Sequence, residues 1–160
     1  LLGSGPILRS VLEAQDILAE KYGSASDVWS VTSYKQPGLD ALAADRWNAL
    51  HPGQSPRKSH LHQQFEGVEG PFVSASDYVR LVSEQIAPWA PGQYVALGTD
   101  GFGRSESREA LRRFFEIDAQ SIVYAALHAL AKEQKFPKEK LKKVIKELGL
   151  DPDKIDPLHN

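Results

Sequence analysis

Apolar residues along this chain follow two rhythms. Short runs rich in β-branched and aromatic residues stand at Leu1–Leu2, Asp27–Tyr34 (DVWSVTSY), Phe72–Ala75 (FVSA) and Tyr94–Leu97 (YVAL), and each reads as a strand or a strand remnant. Between them, apolar residues recur three and four positions apart. Ile7, Val11, Ala14 and Leu18 mark a first helix, with Pro6 in its first turn and Gly23 as its C-terminal cap. Leu39–Leu50 predicts a second, after a break at Pro37-Gly38. Asp77 is placed to cap a third, in which Tyr78, Val82, Ile86 and Trp89 share a face. Glu106–Phe115 predicts a fourth, with Ser105 as its N-cap. Asp118 caps a fifth that runs to about Gln134 and is apolar almost all round, so it is expected to be central and buried. Pro137 opens a last helix, with Leu141, Val144, Ile145 and Leu148 on one face and Gly149 at its end. The stretch His51–Glu69 is polar and has no readable period, and the tail after Gly149 is expected to be extended.

Strands alternating with helices predict an α/β fold with a largely parallel sheet and helices on both faces. No internal repeat or composition shift divides the chain, so residues 1–160 are expected to form a single domain.

Composition narrows the functional classes. The chain has 160 residues, 41% of them hydrophobic and 25% charged, which is enough for one core. A formal net charge of -2 gives no electrostatic case for a nucleic acid or a membrane surface as partner. No apolar run has the length of a membrane span. The absence of cysteine excludes disulfides, thiolate metal sites and cysteine nucleophiles, and a reducing cytoplasmic compartment fits. Methionine is absent too, and Leu1-Leu2 running into Gly3-Ser4-Gly5 looks like the end of a buried strand. The chain is therefore expected to be a piece of something longer.

Two glycine-rich turns are the first candidates for chemistry. Gly3-Ser4-Gly5 has the first two glycines of the dinucleotide pattern, but Leu8 stands where the third should be. Gly98 to Ser105 (GTDGFGRS) has no Gly-Lys-Ser/Thr ending and is not a nucleoside-triphosphate loop. Asp100 and Glu106 add negative charge there, while Arg104, Ser105 and Arg108 form a candidate anion contact. No nucleophile elbow occurs. His51, His60 and His62 fall in the unpatterned stretch with no metal-ligand spacing, and His128 on the apolar helix reads as a core histidine. Lysines 138, 140, 142, 143 and 146 make a solvated face that an acidic partner could meet, and Trp29, Trp47 and Trp89 suit packing.

The stretches DVWSVTSY, DRWNALHP, SASDYV and above all LGTDGFGRSESREALRRFFEIDAQSIVYAALHALA resemble one known family. It is the C-terminal, transketolase-like domain of the single-chain, homodimeric first component of the bacterial pyruvate dehydrogenase complex. The resemblance runs from Leu1 to about Leu158, and Gln36–Gly38 and Lys58–Glu69 depart from the family's usual pattern. It implies a three-layer α/β sandwich with a mixed sheet of about five strands. It also implies a parent enzyme that decarboxylates pyruvate with thiamine diphosphate and magnesium, pairs with a second copy, and passes acetyl to a dihydrolipoyl acyltransferase core. In the family the cofactor motif begins Gly-Asp-Gly and ends at an asparagine about thirty residues on. Here Thr99 replaces the first glycine, and the asparagines, Asn48 and Asn160, lie at no such distance. No catalytic, cofactor-binding or metal residue is therefore assigned to this chain, and a structural, dimerising role is expected. The alternatives are a free-standing anion- or nucleotide-binding module and a docking domain for the acyltransferase through the lysine face.

Overall fold

Residues 1–159 are described by a computed structural model, and Asn160 lies outside them. Four strands, β1 (Leu2–Gly3), β2 (Trp29–Ser30), β3 (Phe72–Ala75) and β4 (Tyr94–Leu97), form one sheet in the order β2-β1-β3-β4. Every pairing is parallel, with Leu2 opposite both Trp29 and Ser74, and Phe72 opposite Tyr94. All four lie on the runs that the apolar pattern marks. The five-stranded mixed sheet implied by the resemblance is corrected to four parallel strands among the described residues. Each connection between strands passes through at least one helix, which returns the chain in the same direction.

Side chains along a strand alternate between the two faces of a sheet, and here the alternation divides two cores. Leu1, Val73 and Ala75 pack with α1 (Leu8–Tyr22), α6 (Ala119–Lys132) and α7 (Leu141–Glu147). Leu2 and Phe72 pack with α2 (Lys35–Leu50), α3 (His60–Gln64) and the residues around α4 (Arg80–Glu84). The molecule thus has three layers, helix, sheet and helix. α6 is central as predicted: Ile122, Val123, Leu127 and Ala129 are fully buried. Asp118 caps it, its Oδ1 accepting from Ser121 N at 2.9 Å. Gly23 closes α1 in the left-handed region, at φ 62°.

Several local expectations are corrected. Pro37-Gly38 does not break the chain. Pro37 is the third residue of α2, where its missing N–H removes no intrahelical bond, and Gly38 N already bonds Tyr34 O. The unpatterned stretch contains α3, capped by Ser59 Oγ. Asp77 caps nothing, because α4 begins only at Arg80. α5 spans Arg108–Phe114, and its N-cap is Ser107, whose Oγ accepts from Ala110 N at 3.2 Å, in place of Ser105. The tail after Gly149 ends in a 3-10 turn at Pro157–His159. His128 is exposed and stacks on Tyr124, so it is not a core residue.

Candidate functional site

Gly3-Ser4-Gly5 leaves β1 where the strand order reverses between β1 and β3. Open α/β sheets bind ligands in the crevice at such a switch point. In this protein the crevice is closed by the chain itself. Ser4 N donates to Ala75 O at 3.3 Å and Ser4 Oγ donates to Ser76 Oγ at 3.0 Å, while Ser76 Oγ also accepts from Tyr78 N. A Cβ on Gly3 would lie 3.0 Å from Leu8 Cα and Val11 Cγ2, so this glycine serves the close seating of α1 on the sheet. Gly5 stands at φ 53° beside the Asp77 carboxylate, which opposes a phosphate at the turn.

The Gly98 loop is engaged from Gly98 to Gly101. Thr99 N donates to Tyr78 O at 2.9 Å and Thr99 Oγ1 to Asp77 O at 2.9 Å. Asp100 Oδ2 accepts from both Arg80 N, at 3.2 Å, and Arg80 Nε, at 2.8 Å, so its carboxylate fixes the start of α4. A Cβ on Gly98 would meet Tyr78 O at 2.5 Å, and one on Gly101, at φ 99°, would meet Pro157 O at 2.1 Å. These glycines accommodate neighbouring backbone rather than an open cradle.

The candidate anion residues stand in different surroundings. Arg104 lies over the Phe114 ring, 4.0 Å from its centroid, at the end of α5. Arg108 stands at the helix start, about 9 Å of helical rise before Phe114. Ser105 is exposed and Arg108 lines a separate cleft of about 780 Å³. That cleft mixes charges: Arg112 and Arg113 face it, but so do Glu13, Glu109 and Asp118. Arg113 is bound to Asp118 at 3.1 Å and to Gly149 O, and Arg112 donates to Pro6 O.

Of the histidines in this stretch, His51 and His62 make side-chain contacts that hold local structure, and His60 does so through its backbone. His51 Nδ1 contacts Trp47 O at 2.7 Å and its ring stacks on Trp47, whose face also carries Arg57. His60 N donates to Asp40 Oδ2 at 2.7 Å. His62 Nδ1 lies 2.8 Å from Ser59 Oγ, a pairing that sequence reasoning missed and that the Ser-x-x-His cap spacing could have signalled. Ser59 is only 2% exposed and its oxygen also caps α3 through His62 N, so it is not presented as a nucleophile. A second cleft, of about 680 Å³, opens beside β2 with Leu2, Trp29, Phe65 and Ile86 on its floor and Ser30 and Gln36 at its rim.

Comparison with known proteins decides what these turns belong to. Residues 1–118 match the family model of the transketolase-like TK C-terminal domain. The chain belongs to that family. Its transketolase-like domain is 47% identical over 159 residues to the pyruvate dehydrogenase E1 component of Pseudomonas aeruginosa, covering 99% of this chain and 18% of that protein. It is 44% identical to that of Cupriavidus necator and 46% identical to that of Escherichia coli, again over 18% of their length. The chain thus spans about 18% of the length of the curated relatives it matches, corresponding to their C-terminal part.

Thiamine diphosphate with magnesium, which the family resemblance implies for a parent enzyme, needs a diphosphate cradle and hard oxygen ligands. The residues of this transketolase-like domain do not fit that group. The Asp100 carboxylate is held by Arg80, Gly98 and Gly101 abut backbone, and among the described residues no three His, Asp or Glu side chains converge.

Proposed function

We propose that this chain is the C-terminal structural domain of a pyruvate dehydrogenase, acetyl-transferring. The parent polypeptide oxidatively decarboxylates pyruvate with thiamine diphosphate and magnesium in the cytoplasm, works as a homodimer, and passes acetyl to a dihydrolipoyl acyltransferase core. The domain carries no complete active site; it stabilises the parent and extends its subunit contacts. The observation that carries this reading is 47% identity sustained across 99% of the chain. The engagement of both glycine turns by neighbouring backbone and side chains supports a structural role. The Arg104 guanidinium is engaged on the Phe114 ring, which leaves an anion contact shared with Arg108 outside the structural role proposed.

The reading is tested by producing the full-length polypeptide and a version that stops before Leu1. Pyruvate-dependent acetyl transfer by the full-length form, with loss of assembly or stability in the shortened one, is the expected result. Magnesium-dependent titration of thiamine diphosphate into the isolated chain should give no heat of binding. Micromolar binding there would assign the cofactor site to this domain and overturn the structural role.

A further inference from the structure

The cleft of about 680 Å³ beside β2 differs from its neighbours in charge. The clefts of about 780, 420 and 290 Å³ each carry arginine or lysine together with carboxylates. The cleft beside β2 has neither arginine nor lysine among the described residues that line it, and Asp40 is its one carboxylate. Its floor is apolar. Leu2, Phe65 and Ile86 are buried beneath it, and half-buried Trp29 stacks on Phe72 with ring centroids 6.3 Å apart. Its volume lies within the roughly 300–1,000 Å³ of small-molecule sites, which are apolar hollows with a few placed polar groups.

The polar groups of this cleft favour one sign of charge. Asp40 Oδ2 accepts from His60 N at 2.7 Å, which ties α2 to α3 across the cleft, and Oδ1 accepts from none of the described residues. A helix start ordinarily favours an anion through its free N–H groups. Here the start of α2 has used them. Gln36 N donates to Ser33 Oγ at 3.3 Å, Pro37 has no N–H, and Gly38 N donates to Tyr34 O at 3.2 Å. A carboxylate or phosphate entering the cleft would find no guanidinium or ammonium and would be repelled by Asp40. A cation would be attracted by that carboxylate and by the face of the Trp29 ring.

We propose that this cleft binds a small organic cation, an amine or quaternary ammonium carried on an apolar body. The body lies on Trp29 and Phe65, and the cationic head lies at Asp40. The inference stands on this chain's own residues and does not need the parent reading. The ligand is opposite in charge to pyruvate, so the cleft is a site separate from any that takes that substrate.

The test uses the protein at its full natural length and three photoreactive probes of similar shape. They are 4-azidophenethylamine, its neutral N-acetyl derivative and the anion 4-azidophenylacetate. Each is irradiated with the protein, and the labelled residues are mapped by mass spectrometry. The amine should label residues 29–40 and 60–65 saturably, ahead of the neutral probe, and the anion should label them least. Asp40→Asn keeps an acceptor for His60 N and removes the charge. It should lower amine labelling by about three- to fivefold, as for an exposed ion pair, and leave the neutral probe unchanged. Equal labelling by the three probes, stronger labelling by the anion, or none at these residues would overturn the proposal. Amine labelling that survives Asp40→Asn in full would overturn it too. If Asp40→Asn weakens both the amine and the neutral probe, Asp40→Glu, which keeps the charge, must restore the preference for the amine. Failure to restore it would count as refutation.

Discussion

The two sides of the sheet are built from different materials. The side under α1, α6 and α7 buries Ile7, Val11, Leu18, Ile122, Val123, Leu127 and Val144, and no aromatic ring is fully enclosed there. The opposite side, under α2 to α4, encloses Tyr34, Phe65 and Phe72, with Trp29 stacked on Phe72 and edge-on to Phe65. It also encloses hydroxyls: Ser74 Oγ donates to Ser83 Oγ at 2.9 Å, and Tyr94 Oη donates to Ser83 O at 2.8 Å. Aliphatic side chains need only volume and close packing, whereas buried hydroxyls need partners. The aliphatic side should therefore respond to lost volume and the aromatic side to lost or changed polar groups.

The largest expected effect is on the aliphatic side. Leu127→Ala, at a fully buried position of α6, should lower unfolding free energy by about 2–5 kcal/mol in urea titration. A loss under about 1 kcal/mol would mean that the helix layer repacks freely and that the two sides do not differ as described.

The next effect is pH-dependent and largest on the aromatic side. Burial raises the Tyr94 phenol from 10.0 to about 12 and raises Tyr34 further in the same direction. A raised phenol favours the neutral form in the folded state. Its contribution is complete below pH 10 and is lost as pH climbs from 10 through about 12. Stability should fall over that window by on the order of 2 kcal/mol for Tyr94. Tyr94→Phe should reduce the slope, leaving the part due to Tyr34, and Leu127→Ala should leave it in place; an unchanged slope in Tyr94→Phe would contradict the assignment.

Ser83→Ala should cost about 1–2 kcal/mol by leaving Ser74 Oγ, fully buried, without its acceptor. The double variant Ser74→Ala, Ser83→Ala should recover part of that loss, and failure to recover it would point to packing as the cause. The smallest effect is expected at Tyr34, whose buried hydroxyl has no partner among the described residues. Tyr34→Phe should change thermal midpoint free energy by no more than about 0.5 kcal/mol, towards higher stability. A clear loss would reveal a bridging water at that hydroxyl.

The same contrast explains which parts of the fold were readable along the chain. α1 and α6 belong to the aliphatic side, and their apolar residues recur at helical spacing with Gly23 and Asp118 as end signals. Apart from α2, the aromatic side is assembled from short elements. α3 and α4 have five residues each, too few for a period to emerge, and their apolar contacts run to Phe65, Ile86 and Trp89 beyond the helix ends. Pro37-Gly38 carried a break signal that its place in the first turn of α2 cancels. Ser105 and Ser107 are equal cap candidates by composition, and the extended backbone at Ser107 selects it. In the candidate site, the glycines were visible, but what they abut was not. Gly98 faces Tyr78 O and Gly101 faces Pro157 O, contacts across 20 and 56 positions of sequence.

The amino-acid order alone determined the α/β class, the four strands, the two long helices beneath the sheet and, through the block around TDGFGRS, the family. These are set by local periodicity and by residue-specific backbone preferences, which act over a few positions. Tertiary structure decided the strand order, the separation of an aliphatic from an aromatic core, and the fate of the charged loop residues. Asp100 became an anchor for Arg80 and Arg104 a lid on Phe114 because strands and helices far apart in sequence were brought within bonding distance. Free carboxylates and guanidiniums take whichever partner the packing delivers, and no local rule names that partner in advance.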